Sequence, residues 1–279
     1  MKRAQKASAR KGVAMTPIFD THVHYDDEAF DEDREELLQS MPAQGIGRVV
    51  DIGATLSSCE KVIGLMEQYD YIYGALGVHP EGIEELTEER FGWLKEQCRR
   101  EKCVAVGEIG LDYHWDEPGR ELQKEWFSRQ LELARELSLP VVIHSRDAAK
   151  DTLDIMNAHK AGEIGGVMHC YSYSKEAARD WLNMGFYFGV GGVLTFKNAK
   201  KLKEAVEYLP MDRIVLETDC PYLAPEPNRG KRNSSLNLPY VVTAIANIKG
   251  ISVEEVRRIT WENAHALYRI KKGYLHGPE

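Results

Sequence analysis

Residues 18–24, Ile-Phe-Asp-Thr-His-Val-His, read as a buried β-strand that ends in a histidine pair. Seven more apolar runs repeat that rhythm, at 48–52, 71–77, 104–108, 141–144, 166–169, 186–189 and 214–217. Amphipathic stretches separate them. Within 122–137, Trp126, Gln130, Leu133 and Leu137 recur at three- or four-residue steps, the spacing of one helix face. Two further helical stretches, 238–248 and 253–270, follow the eighth run. Eight such alternations predict an α/β fold with a parallel sheet. An open doubly wound sheet usually carries a glycine-rich phosphate loop after its first strand, whereas this strand ends in Thr21-His22-Val23-His24. Polar, ligand-type residues also end the fourth, fifth, sixth and eighth runs. In a barrel those ends share one rim, where such enzymes place their chemistry. The expectation is a single (β/α)8 TIM barrel with parallel strands.

At 279 residues, 43 % of them hydrophobic, the chain can fill one large barrel core. Apolar runs such as 139–143 are too short to cross a bilayer, so no membrane partner is expected. Cys59, Cys98, Cys103, Cys170 and Cys220 are odd in number and lack CxxC spacing, which predicts free thiols in a reducing cytoplasm. Residues 1–14 are basic and polar without an apolar signal core. They are expected to form a disordered leader, with the hydrolase domain spanning 15–279. A targeting or nucleic-acid arm is the other reading of the leader. Net charge is −8 even with the five leader cations Lys2, Arg3, Lys6, Arg10 and Lys11. A polyanion would therefore be held by a local basic patch and metals, not by a global field.

His22 and His24 stand two apart, and strand alternation points both imidazoles the same way. Glu108 follows a buried apolar run, where a carboxylate needs a cation or hydrogen-bond partner. An ion pair inside the barrel would serve; so would two oxygens bridging two metals. Gly107 and Gly110 beside it allow close backbone approach. His144 and His169 end successive strands, and Asp219 completes the ring from the eighth. Neutral imidazoles and carboxylates suit zinc, manganese, magnesium or similar ions. His79, on the same rim, is a substrate-binding candidate. Cys170 and Cys220 adjoin these ligands but should face away into packing if the strands stay regular.

These residues fall in the blocks FDTHVH (19–24), GVHPEG (77–82), GEIGLDYH (107–114), LPVVIHSRDA (139–148), HCYS (169–172) and ETDCPYLAPEPNRGKRN (217–233). In that order they resemble the TatD family of metal-dependent deoxyribonucleases, across 18–268. The resemblance implies two divalent ions, one held by His22, His24 and Asp219 and the other by His144 and His169, with Glu108 between them. It also implies phosphodiester hydrolysis of DNA, as a 3′–5′ exonuclease on single-stranded or frayed ends.

Two such ions would activate water for in-line attack, with Asp219 orienting the nucleophile and accepting its proton. Asp219 and Glu108 are thus the expected catalytic pair. Arg146, two residues past His144, is expected to contact phosphate, or else to pair with Asp147 or Glu217. Asp147 reads as the N-cap of the following helix. Arg229, Lys231 and Arg232 form a basic loop after the eighth strand. Tyr113, Tyr171 and Tyr222 offer rings for base stacking, although Tyr222 could instead pack beneath its proline-rich loop. An ester or amide, such as an aminoacyl ester on tRNA or a cyclic amide, is the alternative substrate. Oligomeric state is left open.

Overall fold

A computed structural model of the chain describes residues 15–115 and 117–271; the basic leader lies outside them. The strands are β1 (Ile18–Val23), β2 (Ile46–Ile52), β3 (Ile72–Leu76), β4 (Cys103–Asp112), β5 (Val141–Arg146), β6 (Gly166–Met168), β7 (Tyr187–Val190) and β8 (Ile214–Leu216). Helices α1 (Arg34–Ser40), α2 (Leu56–Gln68), α3 (Glu88–Gln97), α4 (Arg120–Leu137), α5 (Ala149–Ala158) and α6 (Ala161–Ile164) lie between the earlier strands. Helices α7 (Lys175–Asn183) and α8 (Lys200–Tyr208) come between the later ones, and α9 (Leu238–Lys249) and α10 (Val253–Leu267) close the chain.

All pairings are parallel, in the order β1 to β8. The two edges then meet. Asp219 N–H donates to His22 O at 3.0 Å and His24 N–H to Cys220 O at 2.8 Å, leaving a nearly closed (β/α)8 barrel. Alternation along the strands makes two apolar layers. Phe19, Val50, Ile52, Ala75, Val142 and Val215 belong to an inner cluster that α10 joins through Ala264 and Leu267, with Tyr268 just past its end. Val49, Ile72, Leu76, Val106 and Ile143 belong to the larger cluster packed under the helices. Among the described residues no single helix is long and apolar enough to cross a membrane.

Two departures from regular strands matter. On β1 the register runs from Asp20 opposite Val49 to Val23 opposite Asp51, an extra residue at Thr21–His22. On β4 it runs from Val106 opposite Val141 to Ile109 opposite Ile143, an extra residue at Gly107–Glu108. Each is a β-bulge, which re-aims a side chain locally. The β4 bulge is followed by Gly110 at φ +148°, where an added Cβ would stand 1.9 Å from His144 O. Only glycine permits that approach. It lets β4 stay paired with β5 as far as Asp112, well past the expected end at 108.

Helix α4 anchors two of the rim loops. Gln130 is fully buried, accepting from Val78 N–H at 2.9 Å and donating to Val78 O at 3.1 Å. Gln123 does the same for Asp112, with both bonds at 2.9 Å. Buried amides of this kind are stable only when satisfied, and here each satisfies both backbone groups of one rim residue.

Candidate metal centre

Glu108 is 4 % exposed, and burying a carboxylate costs several kcal/mol unless it is compensated. Imidazoles supply the compensation. Its Oε1 lies 2.8 Å from His144 Nδ1 and 3.8 Å from His169 Nε2, and its Oε2 lies 3.5 Å from His22 Nε2. Asp219 is the second focus: its Oδ1 is 3.4 Å from His24 Nε2, 3.6 Å from His169 Nε2 and 3.7 Å from His22 Nε2. Asp219 holds a left-handed backbone at φ +57°, tolerated by aspartate better than by most residues, and this turns its carboxylate inward from the end of β8.

Ring tautomers are set from behind. His24 Nδ1 donates to Ile52 O at 3.0 Å, and His169 Nδ1 pairs with Glu217 Oε2 at 3.2 Å, so both Nε2 atoms face the centre. His22 Nε2 and His24 Nε2 approach to 3.1 Å, while buried His22 Nδ1 has no hydrogen-bond partner among the described residues. Imidazole nitrogens and two carboxylates that converge on one space form a donor set that suits a divalent cation. The residues fit a metal.

The charges agree. Burial pulls His24 down, but Asp219 and Glu108 outweigh it and hold it at about 10. His144 is lifted against burial to about 9 by Asp112 and Glu108, and His169 to about 9 by Glu217, Glu108 and Asp219. Burial pushes Glu108 up, yet His169, His144 and His22 press it well below its usual range. In metal-free protein three histidines therefore hold protons where cations would sit. Their raised values add stability that is complete below the unfolded histidine value and lost as pH climbs through 9 to 10. Cation binding must displace those protons. Zinc titrated into metal-free protein near pH 7.5 is thus expected to release more than about one proton per chain, with affinity rising towards pH 9. Calorimetry in buffers of differing ionisation enthalpy measures this; an enthalpy indifferent to the buffer would contradict it.

The six expected ligands surround one centre in overlapping groups. His22, His24 and Asp219 form one trio, and His22, Glu108 and His169 another. His144 instead groups with His79 and Asp112, its Nε2 lying 2.8 Å from Asp112 Oδ2. Among the described residues, His144 and His169 share no trio; Glu108 links them. The lengthened β4 is the cause, since it carries Asp112 level with β5.

Several other expectations are corrected. Tyr171 is 3 % exposed, donates to Ser174 O and packs on Trp181 and Phe188, so its ring is core and offers no face to a base. Tyr113 is half-buried, with Arg120 over its ring at 4.3 Å and its hydroxyl on Asp151. Cys170 does not face away from the ligands. β6 ends at Met168, and a left-handed φ of +43° sets the thiol beside His169 and Asp219, although burial keeps it protonated. Asp147 makes no cap: Ala148 precedes α5, and Asp147 faces His114 instead.

The mouth above the centre is a pocket of about 320 Å³ whose lining includes His24, His79, His144, Asp26, Glu81 and Tyr222. Tyr222 is 54 % exposed at this mouth and not beneath its loop. Arg146 is exposed, and among the described residues no carboxylate pairs with it, neither Asp147 nor Glu217. Arg229 stacks on Phe196 at 4.3 Å, Lys231 is exposed, and Arg232 is neutralised by Asp33. None of the four lines the pocket itself. Sequence reasoning missed Asp112 and Glu217, which orient His144 and His169, and Trp115, 66 % exposed just past β4.

The family description "TatD related DNase" matches residues 19–269. The chain belongs to the TatD family. It is 46 % identical to the uncharacterized metal-dependent hydrolase YabD of Bacillus subtilis, over 91 % of this chain and 99 % of that protein. It is 35 % identical to YcfH of Escherichia coli, also named a metal-dependent hydrolase, over 92 % and 98 %. The crystal structure of the Escherichia coli TatD homologue YjjV superposes with a TM-score of 0.85 at 30 % identity, covering 91 % and 98 %. This TatD chain is accordingly a metal-dependent hydrolase on a (β/α)8 barrel.

Proposed function

We propose that this protein is a two-metal deoxyribonuclease, removing nucleotides from the 3′ end of single-stranded or frayed DNA. The observation that carries the reading is the convergence of four histidine rings on Glu108 and Asp219 in an open mouth, with exposed Arg146 two residues past His144 and without a carboxylate partner among the described residues. The family description supports DNA as substrate. His22, His24 and Asp219 would hold one ion, and His144, His169 and Glu108 would place the other. When bound, such ions supply water activation near neutral pH and polarise a phosphoryl oxygen.

The chain's own residues do the rest. Asp219, with its carboxylate held ionised by His169 and His24 against burial, is set to receive the proton of the attacking water. Glu217 and Asp112 fix the rings they bond. Arg146 presents a planar fork that matches phosphate.

End-labelled DNA incubated with metal-loaded protein, with and without chelator, tests the reading. Products should shorten from the 3′ end and vanish with chelator. Arg146→Ala should lower turnover of DNA by about 10-fold or more, the scale of one charge-assisted hydrogen bond, with metal content unchanged. Loss of metal together with activity would make Arg146 structural. A second reading has its own support: Asp26, Asp27 and Glu81 line the pocket, an acidic wall that suits a neutral or cationic ester or amide. Efficient ester or amide turnover with inert DNA would replace the nuclease reading with this one.

A further inference from the structure

His79 follows β3 and caps the 3-10 turn Pro80–Glu85, its Nδ1 accepting Glu81 N–H at 3.2 Å. A nitrogen that accepts from a backbone N–H carries a lone pair, not a proton. While this cap holds, the ring is neutral and its proton sits on Nε2. Val78, the preceding residue, is tied to Gln130 through both backbone groups, so the ring's base is fixed as well.

Nε2 faces the pocket. It stands 3.9 Å from Glu108 Oε1, beyond hydrogen-bond range, and the His79 and His144 ring centres are 4.2 Å apart. Among the described residues, no acceptor lies within bonding distance of that N–H. His79 also belongs to the trio with Asp112 and His144 whose ligand atoms lie within 4.8 Å of one another. The tautomer argues against ligation, because a nitrogen holding its proton has no lone pair for a cation. Acceptors dominate the remaining lining: Asp26, Asp27, Glu81, Glu108 and Asp219, with the Tyr222 hydroxyl already spent on Asp27. An anion entering this mouth needs a donor, and the Nε2–H of His79 is one with no other bond to make.

We propose that His79 is a fixed, neutral hydrogen-bond donor of the active site, directing Nε2–H at a scissile-phosphate oxygen that gains negative charge as the bond breaks. This rests on the phosphodiester reading above. The contribution is charge stabilisation; a neutral imidazole keeps its Nε2 proton, so no proton is transferred.

Two substitutions and one spectroscopic measurement test it. Asparagine is among the best N-cap residues, so His79→Asn keeps the turn while its short amide leaves the position of Nε2 empty. His79→Gln reaches further and can restore an N–H there. In metal-loaded protein, His79→Asn should lower kcat on DNA about 100-fold, the lower end of what one oxyanion donor is worth. Metal content and Tm should stay unchanged, and His79→Gln should recover part of the loss. Nitrogen-15 NMR of histidine-labelled, metal-free protein, with His79 assigned by its absence in His79→Asn, should show Nε2 protonated and Nδ1 bare. Wild-type kcat in His79→Asn would reduce the residue to a cap. Lost metal would make it a ligand, and a proton on Nδ1 would overturn the donor directly. Wild-type protein inert on DNA would remove phosphate as the acceptor and sink the nuclease reading, while the tautomer, read without substrate, would still decide the donor.

Discussion

Glu108→Ala is expected to lower kcat by about 10³-fold or more while leaving the barrel folded, because residues that act as a unit lose nearly everything when one is removed. Glu108 is the point where the two halves of the site meet, with His144, His169 and His22 all within 4 Å of its oxygens. Without it, His144 and His169 no longer share any anion between them. The cost to the fold is bounded for a reason particular to histidine. Stranded imidazolium rings can shed their protons, so the variant need not bury uncompensated charge near pH 8. Thermal unfolding at that pH should therefore show a modest shift, while metal content and turnover collapse. Glu108→Gln sharpens the comparison: it preserves volume but turns an amide donor towards one imidazole. Full activity in either variant would remove Glu108 from the centre of the mechanism.

Asp219→Asn should cost about 10²- to 10⁴-fold in kcat, the usual worth of a positioned base, with a smaller loss of bound metal than in Glu108→Ala. The amide keeps an oxygen facing His24, His169 and His22 but neither carries their compensating charge nor accepts a proton. Backbone strain separates this substitution from alanine. At φ +57° asparagine is nearly as comfortable as aspartate, whereas alanine adds about 1–2 kcal/mol of left-handed strain. Asp219→Ala should thus lose stability that Asp219→Asn retains. An Asp219→Asn enzyme with wild-type kcat would mean that another group takes the proton.

The eight strands were legible because a barrel strand is buried on both faces and reads as an unbroken apolar run, and the ligands because each closes such a run. What escaped was geometry that alternation cannot encode. A bulge at Thr21–His22 or Gly107–Glu108 leaves no mark in a hydrophobic pattern, yet the second precedes the run of β4 on to Asp112, which sets Asp112 against His144. Cys170 was misplaced for a related reason: one left-handed residue after Met168 ends the period of two. Tyr171 was misjudged because a ring just past a strand end can point up to solvent or down onto Trp181, and only the packing of α7 chooses. Glu217 and Asp112 are acids among many. Their role as partners of His169 and His144 exists only once the strands stand side by side.

The paired glutamines of α4 have a mechanical consequence. Gln123 grips the residue at the end of β4, and Gln130 grips the residue before His79, about two turns apart on one rod. The rod acts as a gauge block, setting the spacing of these two rim positions at roughly 10 Å by the rise of a helix and not by the conformation of either loop.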